Sequence, residues 1–110
     1  MSNTVHLTGR IGSDIGTFGN GNNGGCYFRF VTSKTKLVDN KPVKDANGYN
    51  ETYDQWHNIK VFGGLAKAVA NHKKKGERLY IRGELRYSTY EKGGDTHEKA
   101  EIVADEVEFL

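Results

Sequence analysis

The alternation of side chains in residues 56–62 constrains the fold of this chain more than any other feature. The segment reads Trp-His-Asn-Ile-Lys-Val-Phe, and successive side chains of a β-strand point to opposite faces. One face suits a protein core and carries His57, Ile59 and Val61. The other face places two large aromatic rings around an amide and a lysine, in the order Trp56, Asn58, Lys60 and Phe62. The segment therefore predicts a strand with one buried face.

Two interpretations of the second face stay open from the strand alone. Both aromatic rings can be covered by another layer of the protein, or both can be exposed beside Lys60. Exposed flat rings next to a cation are what single-stranded nucleic acid binds, because its bases stack and its backbone is a polyanion. The choice between a covered strand and a nucleic-acid surface therefore depends on the other segments of the sequence.

Length and composition predict one small β-rich domain that spans residues 1–110. Hydrophobic residues make up 35% of the 110 residues and charged residues 27%, with 14 glycines, which is the composition of a folded chain rather than a disordered one. Cys26 is the single cysteine, so no intrachain disulfide can form. The sequence shows no N-terminal signal and no apolar run near the roughly 20 residues of a membrane span. We expect a cytoplasmic protein without a membrane partner.

The formal net charge of +2 hides an uneven distribution. Residues 91–110 hold seven acids and two bases, a balance of −5, whereas residues 1–90 hold fourteen bases and seven acids, a balance of +7. A basic body with an acidic last segment can bind phosphates on one surface while the total charge stays small. Ordinary surface charge explains the same numbers, so the charge alone does not choose a function.

The order of the segments predicts an all-β fold with one short helix. Alternating apolar and polar residues indicate five strands at about 5–11, 27–33, 56–62, 79–90 and 96–110. Residues 65–75 have helical spacing and end before Gly76, residues 19–25 read as a flexible glycine-rich turn, and residues 34–54 read as a long loop. Five strands with a helix between the third and fourth predict a five-stranded barrel of the oligonucleotide-binding (OB) type.

The same residues give little support to an enzyme. His6, His72 and His97 lie far apart with no ligand-like spacing, so we expect no metal site. The glycines at 19–25 lack the lysine and hydroxyl residue of a phosphate-binding loop. A nuclease on a similar barrel remains as an enzymatic alternative, but no cofactor and no catalytic residue is predicted. His57, on the inner strand face, is expected to support the core or a subunit interface.

Four segments in the same order and spacing resemble the bacterial single-stranded DNA-binding protein family. They are Asn-Thr-Val-His-Leu-Thr-Gly-Arg-Ile-Gly-Ser-Asp at 3–14, Trp-His-Asn-Ile-Lys-Val-Phe-Gly-Gly-Leu-Ala at 56–66, Lys-Lys-Gly-Glu-Arg-Leu-Tyr-Ile-Arg-Gly-Glu-Leu-Arg at 74–86, and Glu-Ile-Val-Ala-Asp-Glu-Val-Glu-Phe-Leu at 101–110. The resemblance covers almost the whole chain. It implies an OB-fold barrel that binds single strands without sequence preference in replication, recombination and repair, and that assembles as a homotetramer, with a dimer as the smaller possibility.

The resemblance also implies which residues contact the nucleic acid. Trp56 and Phe62 match aromatic positions on which bases stack, and Tyr90 matches a third position where relatives often have tryptophan. Basic positions along the strand's path match Lys75 and Arg86. The predicted contact set is completed by Lys60, Arg10 and Lys36, of which the last stands where relatives often have an aromatic residue.

The chain departs from the family pattern in two ways. Basic residues that are common beside the aromatic positions are replaced by Asn58, Gly64 and Thr89, so we expect fewer anchors and weaker binding. Relatives commonly continue into a disordered tail with an acidic tip that recruits replication and repair proteins, whereas the sequence ends at Leu110, so this recruitment is expected to be absent. Both departures keep an alternative open: an accessory replication or restart protein that acts mainly through protein partners.

Overall fold

Five strands close into a ring in the computed structural model, which describes residues 1–20 and 23–110. The elements in chain order are β1 (Val5–Ile11), β2 (Gly16–Phe18), β3 (Gly25–Thr35), β4 (Leu37–Val38), β5 (Lys41–Pro42), β6 (Thr52–Phe62), α1 (Gly63–His72), β7 (Arg78–Lys92) and β8 (Asp95–Phe109). The ring runs β1-β7-β8-β6-β3 and returns to β1. All neighbours in it are antiparallel except β6 and β8, which are parallel. The predicted OB-fold barrel, with its helix between the third and fourth ring strands, is confirmed.

The interior of the ring is filled by apolar side chains that alternate along every strand. Ile59 and Val61 from β6 are 2% and 0% exposed, which confirms the inner face predicted for this strand. They belong to a buried cluster that also holds Ile11, Cys26, Phe28, Phe30, Ala66, Val69, Leu79, Ile81, Ile102 and Ala104. The helix contributes Ala66 and Val69 to this cluster, so it closes one end of the barrel by hydrophobic burial.

The predicted helix boundaries are wrong at both ends. Residues 65–75 were expected to be helical, but α1 begins at Gly63, whose φ of +68° turns the chain out of β6. The helix ends at His72, because Lys73 returns to an extended conformation. Gly76 then donates its N–H to the carbonyl of Ile11. The turn after the helix is thus connected to β1 at Gly76, while Lys74 donates its backbone N–H to the carboxylate of Glu77.

The long loop predicted at 34–54 is also shorter than expected. β3 and β6 pair along their full lengths, from Gly25 opposite Phe62 to Thr35 opposite Thr52. Between them β4 and β5 form a small hairpin whose two turn residues, Asp39 and Asn40, have positive φ. Both faces of these strand ends are exposed, so the sequence there lacks the hydrophobic alternation that reveals a strand.

A short strand, β2, was not predicted. It pairs with the first residues of β3 on the side away from β6. Gly16 pairs with Tyr27, and Phe18 pairs with Gly25. Of the glycine-rich turn predicted at 19–25, residues 21 and 22 lie outside the described residues. Strand β2 therefore places the aromatic side chain of Phe18 next to β3.

The antiparallel pair β7–β8 extends well beyond the barrel. Pairing continues from Leu79 opposite Phe109 to Lys92 opposite Asp95. Residues 86–100, which we name the β7–β8 arm, are all exposed. A bulge opposite Arg82 shifts the register, and it leaves Asp105 and Glu106 both in contact with that arginine. Because the bulge inserts one extra residue into β8, residues of β8 both before and after it can face the core.

Candidate nucleic-acid interface

The aromatic residues predicted on β6 lie on the outer face of the barrel. Trp56 is 49% exposed and Phe62 is 45% exposed, so the interpretation in which both rings are covered by another layer is wrong for this chain. Since cross-strand partners in an antiparallel pair share a face, the register extends this face to the neighbouring strands. Val31 lies between Trp56 on β6 and Arg10 on β1, which brings two of the predicted residues into one row.

The β7–β8 arm continues the same outer face. Arg86 pairs with Glu101 on β8, and Glu101 in turn reaches Lys60 on β6. Four residue pairs further along the arm, and so on the same face, Tyr90 lies opposite His97. The two rings stack with centroids 5.4 Å apart and planes 25° apart. The predicted residues from β6 and β7 therefore belong to one surface, which we name the outer aromatic face and which runs from Phe18 on β2 across β3, β6 and β8 to Tyr90.

Trp56 lies against a glycine, which fixes the orientation of its ring. A methyl group added at Gly12 would clash with the six-membered ring of Trp56, so this side of the indole is in contact with the backbone of the chain. The guanidinium of Arg29 lies 4.6 Å from the ring centroid, within cation–π range. The absence of a side chain at Gly12 therefore leaves the space that the indole occupies.

Two further aromatic rings on this face were missed by the sequence analysis. Tyr27 lies over Gly16 and Phe18 lies over Gly25, since an added methyl group at either glycine would clash with the opposing ring. Phe18 also contacts the ring of Phe62 edge-on, with centroids 5.5 Å apart. The signal was present in the sequence as an aromatic residue near glycine on both sides of the turn at 19–25, but the pairing that brings them together depends on β2.

Carboxylates lie beside most of the predicted cations. Lys60 lies 3.5 Å and Lys99 lies 3.8 Å from Glu101. Lys36 pairs with Glu51 at 3.6 Å, and it also lies 5.7 Å from the ring centroid of Tyr53. These pairs lower the positive charge that the face offers to a phosphate. The sequence could not reveal the pairs of Lys36 and Lys60, because their partners Glu51 and Glu101 are distant in the chain.

The remaining predicted cations differ in their surroundings. Arg86 lies 3.4 Å from Glu84 on its own strand. Arg10 donates a hydrogen bond to the carbonyl of Gly76 at 3.2 Å, which ties it to the turn after the helix. Lys75 precedes Gly76 in that turn, three residues after the helix ends, and is exposed. The predicted cations therefore lie in three places. Lys60 and Arg86 lie near Glu101 of β8, Arg10 and Lys75 belong to the region of the turn at residues 73–76, and Lys36 lies between β3 and β4.

Replacing Glu101 by glutamine is expected to tighten the binding of an oligonucleotide. The change frees two ammonium groups and removes one negative charge that would face the phosphates. Partly exposed pairs of this kind correspond to about a threefold change in affinity. Fluorescence anisotropy of a labelled oligothymidine, at one fixed low salt concentration, measures the effect. Glu98→Gln on the β7–β8 arm removes the same charge without freeing Lys60 and serves as the control. Equal affinities for Glu101→Gln and the unaltered protein would contradict the assignment of Lys60 and Lys99 to this face.

His57 lies on the inner side of β6, as expected from the alternation. Its Nε2 lies 3.0 Å from the hydroxyl oxygen of Thr32, and burial lowers the pKa of His57 below its usual value of 6.5. As the pH falls below this usual value, the folded protein binds fewer protons at His57 than the unfolded chain does. The contribution of His57 to the free energy of unfolding is therefore fully present above the usual pKa and is lost as the pH falls through the lowered pKa of the folded state.

We expect the melting temperature of the protein to fall when the pH is lowered from about 7.5 to about 5.5, partly through this histidine. His57→Gln keeps a nitrogen near Thr32 but does not titrate, so its melting temperature should fall less over the same range. Thermal unfolding followed by circular dichroism measures both. Parallel pH profiles for the two proteins would show that His57 is not responsible.

Two negative findings concern only the part of the chain that the structure describes. Within it, no group of three or more His, Cys, Asp or Glu side chains is arranged to hold a metal ion. Across residues 1–20 and 23–110, no helix has the length and apolar character that a membrane crossing requires.

A closed five-stranded barrel with one helix between its third and fourth strands defines the chain as an OB-fold protein. The profile described as "Single-strand binding protein family" matches residues 2–110. The chain therefore belongs to the single-strand binding protein family, as the resemblance of its four segments indicated.

Curated relatives support the same assignment. A single-stranded DNA-binding protein of Xanthomonas axonopodis pv. citri is 33% identical over 98% of this chain, and 57% of that protein is covered. A mitochondrial single-stranded DNA-binding protein of Xenopus laevis is 31% identical over 98% of this chain and 75% of its own length. The chain spans about three fifths of the length of the bacterial relatives from Xanthomonas and Xylella, between 57% and 63%.

Solved structures share the fold at low sequence identity. A Plasmodium falciparum protein, described as an SSB complex with ssDNA, aligns with a TM-score of 0.79 at 21% identity, covering 100% of this chain and 96% of that one. A small single-stranded DNA-binding protein from Streptomyces coelicolor aligns with a TM-score of 0.74 at 14% identity and the same coverage. At these identities the two structures establish the barrel fold.

Proposed function

We propose that residues 1–110 form one domain that binds single-stranded DNA without sequence preference and protects it during replication, recombination and repair. The observation that carries this proposal is the half exposure of Trp56, Phe62 and Tyr90 on one continuous outer face. Membership of the single-strand binding protein family supports it, as does the description of the Plasmodium falciparum structure as a complex with ssDNA.

Stacking on the rings supplies the affinity for bases. Each base stacked on an aromatic side chain contributes roughly 1–3 kcal/mol, and every base has a π-face. A duplex keeps its bases paired and stacked inside, so it cannot use these rings. The preference for single strands over duplex follows from this geometry, and so does the tolerance of sequence.

Cations along the face hold the sugar-phosphate chain. The residues that we assign to phosphate contacts are Lys60, Lys75, Arg86, Lys36 and Arg10. Three of them are paired with carboxylates in the free protein, so a bound phosphate has to compete with an existing ion pair. Binding should therefore fall with salt through counterion release, although less steeply than the number of cations alone would give.

We infer that the chain assembles as a homotetramer, with a dimer as the smaller possibility, and that it acts in the cytoplasm. Strand β1 supports the assembly, because β3 pairs with it only at Arg10 and Ile11, which leaves one edge of Val5–Gly9 available to another strand. Light scattering tests the assembly: a mass of four chains at micromolar concentration is expected, and a stable monomer would contradict the inference.

An accessory replication or restart protein that acts mainly through protein partners is the second candidate. The carboxylates that pair with Lys36, Lys60 and Arg86 favour the accessory protein, because they weaken the binding of phosphates by these cations. The two candidates differ in stoichiometry. A general binder saturates long single strands at one protein per short, fixed length of nucleotides, whereas an accessory protein would stop at a few molecules per strand.

The proposed function is tested by comparing a labelled oligothymidine with a labelled duplex of equal length at several salt concentrations. We expect tight binding of the single strand, much weaker binding of the duplex, and a linear fall of the logarithm of affinity with the logarithm of salt concentration. Equal affinity for both forms would contradict a role of the rings. Absence of binding to either form would contradict nucleic-acid binding altogether.

A further inference from the structure

A pocket of about 350 Å³ opens on the outer aromatic face between β2, β3, β6 and β8. Its volume lies within the range of sites that hold small organic molecules. None of the residues predicted to stack bases lines this pocket. Its lining includes the buried Phe28 and two more accessible rings, Phe18 and Tyr27, whose centroids lie 6.3 Å apart and whose planes are 29° apart.

The position of the Tyr27 ring is set by the chain itself. One side of the ring lies against Gly16, so it is held flat, and the residue is half-exposed. Phe18 is held in the same way against Gly25. Rings that are already oriented in the free protein lose little conformational entropy on binding, which favours a flat ligand that stacks on them.

The rim of the pocket carries both hydrogen-bond donors and acceptors. Lys60 and Lys99 contribute ammonium groups, and Glu101 contributes a carboxylate that lies between them. The side-chain amide N–H of Asn58 donates a hydrogen bond to the carbonyl of Ala100, with nitrogen and oxygen 3.3 Å apart. The amide oxygen of Asn58 remains as an acceptor. A mixed rim of this kind can meet the edge of any of the four bases, each of which presents donors and acceptors in its own order.

We propose that this pocket binds one unstacked base of the bound strand, with Tyr27 as its stacking surface and with Lys60 and Lys99 at the adjoining phosphates. The inference depends on the proposed function, since it adds a subsite to the same strand-binding face. It assigns a role to Tyr27, Phe18 and Lys99, which the sequence analysis did not include. The strand would then pass from Trp56 to the pocket before it reaches Phe62, because Tyr27 pairs with Lys60 between these two rings.

The first test compares three tyrosine variants for binding of oligothymidine and oligodeoxycytidine. Tyr27→Ala should lose about tenfold in affinity for both oligonucleotides, and Tyr27→Phe should bind as the unaltered protein does. Tyr87→Ala is the matched control, because Tyr87 is an exposed tyrosine outside the pocket. Unchanged affinity of a folded Tyr27→Ala variant would overturn the inference.

A second test uses the unaltered protein and so does not depend on the folding of a variant. Oligothymidine in which thymidines are replaced by 5-iododeoxyuridine is bound, irradiated and analysed by peptide mass spectrometry. Adducts at Tyr27 together with adducts at Trp56 would support the pocket. Adducts at Trp56 with none at Tyr27 would overturn the pocket and leave the proposed function intact, whereas adducts at neither ring would count against both.

Discussion

Trp56→Ala is expected to weaken the binding of oligothymidine by about 1–3 kcal/mol, which is roughly 5- to 150-fold in the dissociation constant. The indole is half-exposed, lies against Gly12 and carries the guanidinium of Arg29. Removing it abolishes a stacking surface and also releases Arg29 from its ordered position. Fluorescence anisotropy of a labelled oligonucleotide at fixed salt measures the change.

The control for this prediction is Trp56→Phe, which keeps an aromatic ring over Gly12. It should lose much less affinity than the alanine variant, and both variants should unfold near the temperature of the unaltered protein, because the ring lies outside the buried cluster. Equal affinity of the alanine variant and the unaltered protein would remove the main support for stacking at this residue. A large fall in melting temperature would show instead that Trp56 is a structural residue.

The second large effect is expected on the β7–β8 arm, where two tyrosines give a matched pair of variants. Tyr90→Ala should weaken binding by about tenfold, because Tyr90 lies on the face that also carries Arg86 and stacks with His97. Tyr87→Ala should have little effect, since Tyr87 and Tyr90 are three positions apart on one strand and their side chains therefore point to opposite faces of the arm.

The comparison is sharp because both tyrosines are exposed and lie outside the buried cluster. Truncating either one should therefore change stability by a similar small amount, which thermal unfolding can verify. Equal losses of affinity for the two variants would mean that the arm does not present one binding face. A larger loss for Tyr87→Ala than for Tyr90→Ala would assign the strand to the opposite face.

The strand at residues 56–62 shows how much of the fold the sequence could predict. Its alternation places Ile59 and Val61 inside and Trp56 and Phe62 outside, and the structure has them so. The order of strands and helix was sufficient to predict the OB barrel. These predictions succeeded because burial of one face produces a period of two in the sequence.

The boundaries of elements depended on interactions that the local sequence does not record. The helix ends at His72, and the turn that follows it is hydrogen-bonded to Ile11 of β1 through Gly76 and to the carboxylate of Glu77 through Lys74. The ends of β3 and β6 have two exposed faces and so carry no alternation. The bulge opposite Arg82 changes which residues of β8 face the core, and a single shift of register has no signature in composition.

Only part of the candidate site was predicted from the sequence, because some of its contacts also depend on strand pairings that the local sequence does not record. The alternation with buried residues placed Trp56 and Phe62 on one face of β6, and the resemblance to the family predicted that bases stack on them. Tyr27 and Phe18 were missed because their contacts with Gly16 and Gly25 require the pairing of β2 with β3. The carboxylate partner of Lys60 was missed because Glu101 is brought beside it by the parallel pairing of β6 and β8.

The central claim is that unpaired bases stack on exposed rings of the barrel, and one titration tests it most directly. Trp56 is the single tryptophan of the chain, so its fluorescence reports contact with a base at that ring. An oligothymidine and an abasic oligonucleotide of equal length carry the same phosphates and differ only in their bases. We expect strong quenching and tight binding with oligothymidine, and little quenching with weak, salt-sensitive binding for the abasic strand. Equal affinity and equal quenching for the two strands would contradict the claim.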